Sequence, residues 1–301
     1  MPGAAEPTLS RRVEPVAAVH LMSVRQLMER VEERVRSWNV AVEATLETDS
    51  SFLAFGTRGN QGVVLKVLRR PGDEWRCGEA LEAFDGRGIL RVYDHVEGAL
   101  LLERLNPGTS LAAVALGGKD DEATEILADV MQRMSHPNRS LTAPSTVQDW
   151  AKGFQRYLAG GNNQIPNSLV ERGQHLYVGL CASQRRPRLL HGDLQHYNVL
   201  FDSHRGWLAI DPKGVVGEIE YEVGASLRNP CEKPELFASL KTVESRLKLY
   251  ETRLKLDPAR ALQWCFAQAV LSAIWSVEDG AVVDATNPSI ILANALQPLL
   301  G

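Results

Sequence analysis

The stretch LLHGDLQHYNVLFD, Leu189 to Asp202, sets a carboxylate at Asp193 and a carboxamide at Asn198, with four residues between them. A third oxygen-bearing group, Asp211, ends the second of two short strand-like runs, NVLFD and WLAID, joined by SHRG. Such oxygens suit hard cations, magnesium above all. In phosphoryl transfer to a hydroxyl, one carboxylate takes the hydroxyl proton, while an amide and a second carboxylate hold the metal that screens the nucleotide phosphates. The D-x-x-x-x-N spacing of Asp193 and Asn198, followed by Asp211 at a strand end, meets that need. A zinc site built on His191 and His196 is the first alternative, but their spacing does not put both on one helical face and no third soft ligand lies nearby. The second alternative is plain turn capping, which short polar residues often perform.

A phosphate-binding cation narrows the choice. Lys66 stands inside the apolar run VVLKVL, where a lone lysine is unusual. It is either a snorkelling edge-strand residue or the group that holds nucleotide phosphates. Glu79, in the helix expected to follow, is the expected ion-pair partner of Lys66, with Glu74 and Glu82 as rivals. The run LLLERL then ends at the breaker Asn106-Pro107-Gly108, where Glu103 and Leu105 flank a connector able to offer backbone groups to a purine.

The elements that carry these groups follow from periodicity. Leu21 to Trp38 reads as an amphipathic helix, with Ser23 and Gln26 as a capping box. VAVEATLET, SFLAFGT and QGVVLKVL read as three antiparallel strands, a short helix opens after Pro71-Gly72-Asp73, and ILRVYDH and GALLLERL supply two more strands. That is a compact α+β lobe. Helices are expected over DDEATEILADVMQRM, Thr146–Leu158, Ser168–Ala182 and Pro234–Leu254, and a last pair begins after Asp257-Pro258. The expected organisation is a loose leader over 1–20, a nucleotide-binding lobe over 21–105 and a helical lobe over 106–301 that holds the catalytic loop and the acceptor site.

Composition bounds the remaining choices. With 33 Lys+Arg against 37 Asp+Glu in 301 residues, no basic field points to nucleic acid. Cys77, Cys181, Cys231 and Cys265 form no CxxC pair, which fits reduced thiols in a cytoplasm. Ala261 to Val277 is too short and too often interrupted by Gln and Ser for a membrane span.

In this order the parts resemble the aminoglycoside phosphotransferase family, in its streptomycin and hydroxyurea kinase branch, with a protein-kinase-like fold. LLHGDLQHYNVLF resembles that family's H-G-D-L-x-x-x-N loop, and GWLAIDPKGVVGEIEYEVGASLRNP resembles the segment after it. LDPARALQWCFAQAVLSAIWSVEDG resembles the C-terminal helices of streptomycin 6-kinases. The resemblance implies a bilobal fold, ATP and Mg2+ as cofactors, a small-molecule acceptor and a monomer or homodimer. It also implies Asp193 as catalytic base, Asn198 and Asp211 as magnesium ligands, Lys66 as the phosphate lysine with Glu79 as its partner, and His191 bracing the loop. No G-x-G-x-x-G covers the phosphates, so Ser50, Ser51 and nearby backbone N–H groups are expected to do that work. The cluster Glu218, Glu220 and Glu222 is expected to include groups that face the cleft and favour a cationic acceptor, although alternating glutamates also line solvent faces. A kinase of another small alcohol or amine, or a non-catalytic nucleotide-binding module, would share much of this pattern.

Overall fold

A computed structural model describes residues 22–72, 74–134 and 145–300. The leader expected over 1–20, and Asp73, lie outside the described residues. Helix α1, Val24–Ser37, opens on the expected capping box: Gln26 N–H donates to Ser23 Oγ at 3.2 Å, and Ser23 N–H to Gln26 Oε1 at 2.9 Å. Behind it come β1 (Ala41–Glu47), β2 (Ser51–Arg58) and β3 (Gln61–Leu68), then helix α2 (Cys77–Phe84), then β4 (Val92–Val96) and β5 (Ala99–Glu103). They form one antiparallel sheet in the order β1-β2-β3-β5-β4.

Alternation along β3 decides where the lysine points. Val63, Leu65 and Val67 are buried on one face with Leu27 and Val31 of α1 and Phe52 and Ala54 of β2. Lys66 must therefore stand on the opposite face, where Leu100 and Leu102 meet Ala80, Leu81 and Phe84 of α2. That second core continues without a break into the helical part of the chain.

Short strands follow: β6 (Pro107–Ser110), β7 (Ser145–Thr146), β8 (Arg188–Leu190), β9 (Val199–Asp202), β10 (Gly206–Ala209) and β11 (Val215–Gly217). They make two three-stranded sheets, β10-β9-β6 and β7-β11-β8. The expected break at Asn106-Pro107-Gly108 becomes a strand start instead, because Thr109 and Ser110 find partners in Phe201 and Leu200. Two expected helices are also divided, into Val147–Trp150 and Lys152–Ala159, and into Pro234–Phe237 and Leu240–Leu254, the last capped by Ser239.

The helix Pro258–Glu278 is the axis of this half. Asp257 Oδ1 accepts from the N–H groups of Ala259 and Arg260, both at 3.1 Å, and Pro258 occupies the first turn. Trp264, Phe266, Val270, Leu271 and Ile274 are fully buried, each side chain worth roughly 1.5–3 kcal/mol of apolar transfer. Among the described residues no helix is long and apolar enough to cross a membrane. The two halves are stitched at the backbone: Leu90 N–H donates to Ala209 O at 3.0 Å and Ala209 N–H to Gly88 O at 2.9 Å. Asp211, two residues beyond β10, thereby sits at the junction of the lobes.

Candidate active site

The loop after β8 is held from below. Gly192 has φ +85°, and a Cβ there would lie 2.8 Å from Val215 Cγ1 and 2.9 Å from Trp150 Cη2, so only glycine fits both the turn and the gap. Glu222 accepts from His191 N–H at 2.7 Å and from Gly192 N–H at 2.9 Å. His191 is fully buried, with Nε2 2.7 Å from Ile210 O and Nδ1 accepting from Asp193 N–H at 3.3 Å. That network assigns the proton to Nε2. Burial pushes the His191 pKa down to about 4, against the pull of the Ile210 carbonyl, so the ring stays neutral and acts as a brace.

Asp193 emerges from this platform with its side chain 32% exposed. Burial raises its pKa, opposed by Arg228 and Lys213. Asn198 Nδ2 donates to Asp193 O at 2.9 Å and lies 3.4 Å from Asp193 Oδ2. Loop residues five apart in sequence are thus one hydrogen bond apart in space.

The second half of the site is an alternating charge chain. Lys66 Nζ lies 2.8 Å from Asp211 Oδ1 and 3.0 Å from Glu74 Oε2, and Lys213 Nζ lies 2.7 Å from Glu74 Oε1. Burial alone would lower the Lys66 pKa, but Asp211 and Glu74 outweigh it and the net shift is upward. Burial likewise opposes the ionisation of Glu74, yet Lys66 and Lys213 bring its pKa down to about 2. Asp211 has φ +57°, a conformation that a non-glycine residue holds at a cost on the order of 1–3 kcal/mol. Gly214, three residues on, has φ +70° and passes so close to α2 that a Cβ would be 2.5 Å from Ala80 Cβ.

The expected Lys66–Glu79 pair is not formed. Glu79 lies in the first turn of α2 and accepts from Arg76 Nη2 at 2.6 Å on the outer side, while Glu74, in the turn before the helix, reaches the lysine. Glu74→Ala is expected to raise the KM for ATP by about tenfold or more, the worth of a charge-assisted hydrogen bond, and Glu79→Ala to leave it unchanged. Steady-state kinetics on both variants checks this.

The acidic cluster is also placed differently from expectation. Glu218 is fully buried and accepts from Arg185 N–H at 2.8 Å, from Arg260 Nε at 2.5 Å and from Trp264 Nε1. Glu220 is buried beside Asp257 N–H at 3.3 Å, and Glu222 is committed to the loop. None of the three is presented to an acceptor. Burial pushes the Glu222 pKa up to about 7, beyond what the Gly192 and His191 N–H groups pull back. Between its ordinary 4.5 and 7 the folded chain holds a proton that the unfolded chain releases. This group therefore makes stability fall as pH rises through that window and level off above it. Glu222→Gln is expected to flatten that slope, read from urea midpoints at a series of pH values.

In the first hairpin, Ser51 is buried, its Oγ 3.0 Å from Thr48 Oγ1, so its hydroxyl closes the turn and does not face outward as expected. Ser50 is exposed, and among the described residues the N–H groups of Asp49 and Ser50 have no internal partner. The Glu103 carboxylate accepts from Arg91 N–H at 2.9 Å and pairs with Arg205, and its own N–H donates to Arg91 O, so it braces the connector. Neither the N–H nor the C=O of Leu105 has a hydrogen-bond partner among the described residues. Lys213 and Arg228 escaped the sequence reading: both lie outside the motif positions that the chemistry singles out.

The donors suit a magnesium–nucleotide pair. Asn198 spends its Nδ2 on Asp193, and Asp211 spends Oδ1 on Lys66, which leaves Asn198 Oδ1 and Asp211 Oδ2 as hard oxygens. No group of three or more His, Cys, Asp or Glu able to hold a metal occurs among the described residues. His191 Nε2 is spent on Ile210, and His196 is buried with both ring nitrogens unpartnered, so the zinc alternative finds no ligand pair.

The family model described as aminoglycoside/hydroxyurea antibiotic resistance kinase matches residues 37–280. Streptomycin 3''-kinase of Klebsiella pneumoniae is 37% identical over 240 residues, 78% of this chain and 87% of that protein. Hydroxyurea phosphotransferase of Kitasatospora aureofaciens is 30% identical over 284 residues, 86% of this chain and 76% of that protein. Among solved structures, a thermostable mutant of aminoglycoside phosphotransferase APH(4)-Ia in ternary complex with ADP and hygromycin B superposes with a TM-score of 0.62 at 16% identity, covering 89% of this chain and 97% of that one. Choline kinase LicA from Streptococcus pneumoniae superposes with a TM-score of 0.60 at 16% identity, covering 91% and 99%. The last two likenesses speak for the fold.

Proposed function

The chain belongs to the aminoglycoside/hydroxyurea antibiotic resistance kinase family and is a phosphotransferase with a hydroxyl acceptor; we propose that it moves the γ-phosphate of ATP to a streptomycin-type aminoglycoside, with Asp193 as the base. The carrying observation is the 2.8 Å Lys66–Asp211 contact beside the loop in which Asn198 holds Asp193. The groups read as phosphate-binding, metal-binding and proton-accepting are thus neighbours, which supports this reading.

In this reading Asp193 orients the acceptor hydroxyl and takes its proton as the oxygen bonds to the γ-phosphorus and the bond to the bridging oxygen of ADP breaks. Lys66, held by Glu74, sits against the nucleotide phosphates and stabilises the charge they gather. The exposed N–H groups of Asp49 and Ser50 close over the phosphates from the first hairpin, and the Leu105 backbone receives the purine edge. Magnesium held by Asn198 and Asp211 would screen the phosphate charge. All of these groups come from one chain, so a monomer suffices. ATP dependence and four free cysteines fit a cytoplasmic enzyme.

The choice of acceptor rests on the relatives, since the three buried glutamates give it no support. Hydroxyurea is the second reading, favoured by the 30% identical phosphotransferase. ADP release should rise in the presence of streptomycin or hydroxyurea, with a phosphate ester of that compound in the mass spectrum, and chelation of Mg2+ should stop it. If no aminoglycoside and no hydroxyurea raises ADP release above the rate in buffer, the acceptor assignment is wrong.

A further inference from the structure

Arg228 caps the four-residue helix Gly224–Leu227, and its guanidinium turns back toward the catalytic loop. Nη2 lies 3.5 Å from Asp193 Oδ1, and the side chain is only 12% exposed. Nη1 donates to Gln268 Oε1 at 2.8 Å. Gln268 is itself buried and donates its Nε2 to Tyr221 O at 3.3 Å, so its oxygen faces the arginine. A Cβ at Gly224 would lie 2.1 Å from that oxygen, so the glycine makes room for the Gln268–Arg228 contact. The backbone beneath Arg228 is locked as well. Arg246 Nη1 donates to Ser226 O at 2.8 Å and to Asn229 O at 2.9 Å, and Tyr250 Oη lies 2.8 Å from Ser226 Oγ.

The two oxygens of Asp193 therefore have different neighbours. Oδ2 faces Asn198 Nδ2 at 3.4 Å, and Oδ1 faces Arg228. The terminal torsion of an aspartate is broad, so one long contact does not fix the carboxylate plane. A planar fork anchored from behind by a neutral acceptor can do so, because the guanidinium is not free to swing away.

We infer that Arg228, backed by Gln268, is a positioning residue that holds the Asp193 carboxylate in the orientation that receives the acceptor hydroxyl. The inference rests on the reading of Asp193 as the base. Arg228 belongs to none of the phosphate, purine or metal contacts described above, so its loss should appear in kcat and not in nucleotide affinity. Small displacements of a reacting group cost as much as about a hundredfold.

The experiment compares Asp193→Asn, Arg228→Ala, Arg228→Lys and Gln268→Leu in the full chain, with streptomycin as acceptor, and checks folding by circular dichroism. Arg228→Ala is expected to cut kcat by roughly ten- to a hundredfold while the KM for ATP stays within about twofold. Arg228→Lys should recover only part of the loss, because an ammonium cannot span Asp193 and Gln268 together. Gln268→Leu, which removes the rear anchor and leaves the arginine, should lower kcat in the same sense. An inactive Asp193→Asn beside wild-type kcat in both arginine variants overturns the inference and leaves the base intact. Near-normal turnover in Asp193→Asn overturns both. If Arg228→Ala fails to fold, Gln268→Leu decides: a lowered kcat at unchanged ATP KM supports the positioning role, and an unchanged kcat rejects it.

Discussion

Asp193→Asn is expected to lower kcat by roughly 10²–10⁴-fold, the range that a general base contributes. The replacement keeps the shape of the side chain but removes its ability to take a proton. It also leaves Arg228, 3.5 Å away, facing a neutral amide. ATP affinity should stay close to wild type, because the groups assigned to the nucleotide are Lys66, Glu74, Asn198, Asp211 and the hairpin backbone. The residual rate would come from holding acceptor and nucleotide together and from the charge stabilisation that these groups still supply. Titration calorimetry with ATP and steady-state rates on the same preparation separate the two effects. Turnover within about threefold of wild type would falsify the role of Asp193 as base.

The candidate site was legible where its groups are local and illegible where they are assembled from afar. Asp193, Asn198 and Asp211 could be picked out because a tight loop and a short hairpin fix their separation. Lys66 stood out as a lone lysine in an apolar run, but its direction was settled only once Val63, Leu65 and Val67 were seen buried on the opposite face. The choice between Glu74 and Glu79 was not legible either, because it turns on where α2 begins. With the first turn at Cys77, Glu79 points toward Arg76, and the preceding turn lays Glu74 against the lysine. Glu218, Glu220 and Glu222 mislead for a related reason. Charged residues are seldom buried unless paired, and these find Arg260, the Asp257 N–H and the His191–Gly192 backbone 42, 37 and about 30 residues away in sequence. Strands of two to four residues such as β6, β7, β8 and β11 carry too little periodicity to read.

Arg246→Ala is expected to destabilise the fold by about 3–5 kcal/mol, the cost of breaking a buried ion pair from one side. The guanidinium is 1% exposed and has four contacts: Nε to Asp120 Oδ2 at 2.9 Å, Nη2 to Asp120 Oδ1 at 2.6 Å, and Nη1 to the carbonyls of Ser226 and Asn229. Removal strands the Asp120 carboxylate and two carbonyls, and no neighbour is placed to replace five donors on one plane. Arg246→Lys should fall between the two, since an ammonium keeps the charge but cannot meet Asp120 in a bidentate fork and reach both carbonyls. Urea denaturation followed by tryptophan fluorescence reads the loss directly, and a shift worth less than about 1 kcal/mol would show that the network is dispensable. The same guanidinium ties the helix Leu240–Leu254 to the backbone on either side of Arg228. The folded fraction of Arg246→Ala should therefore also lose turnover at unchanged ATP affinity, because the platform that aims Arg228 at Asp193 has lost its anchor.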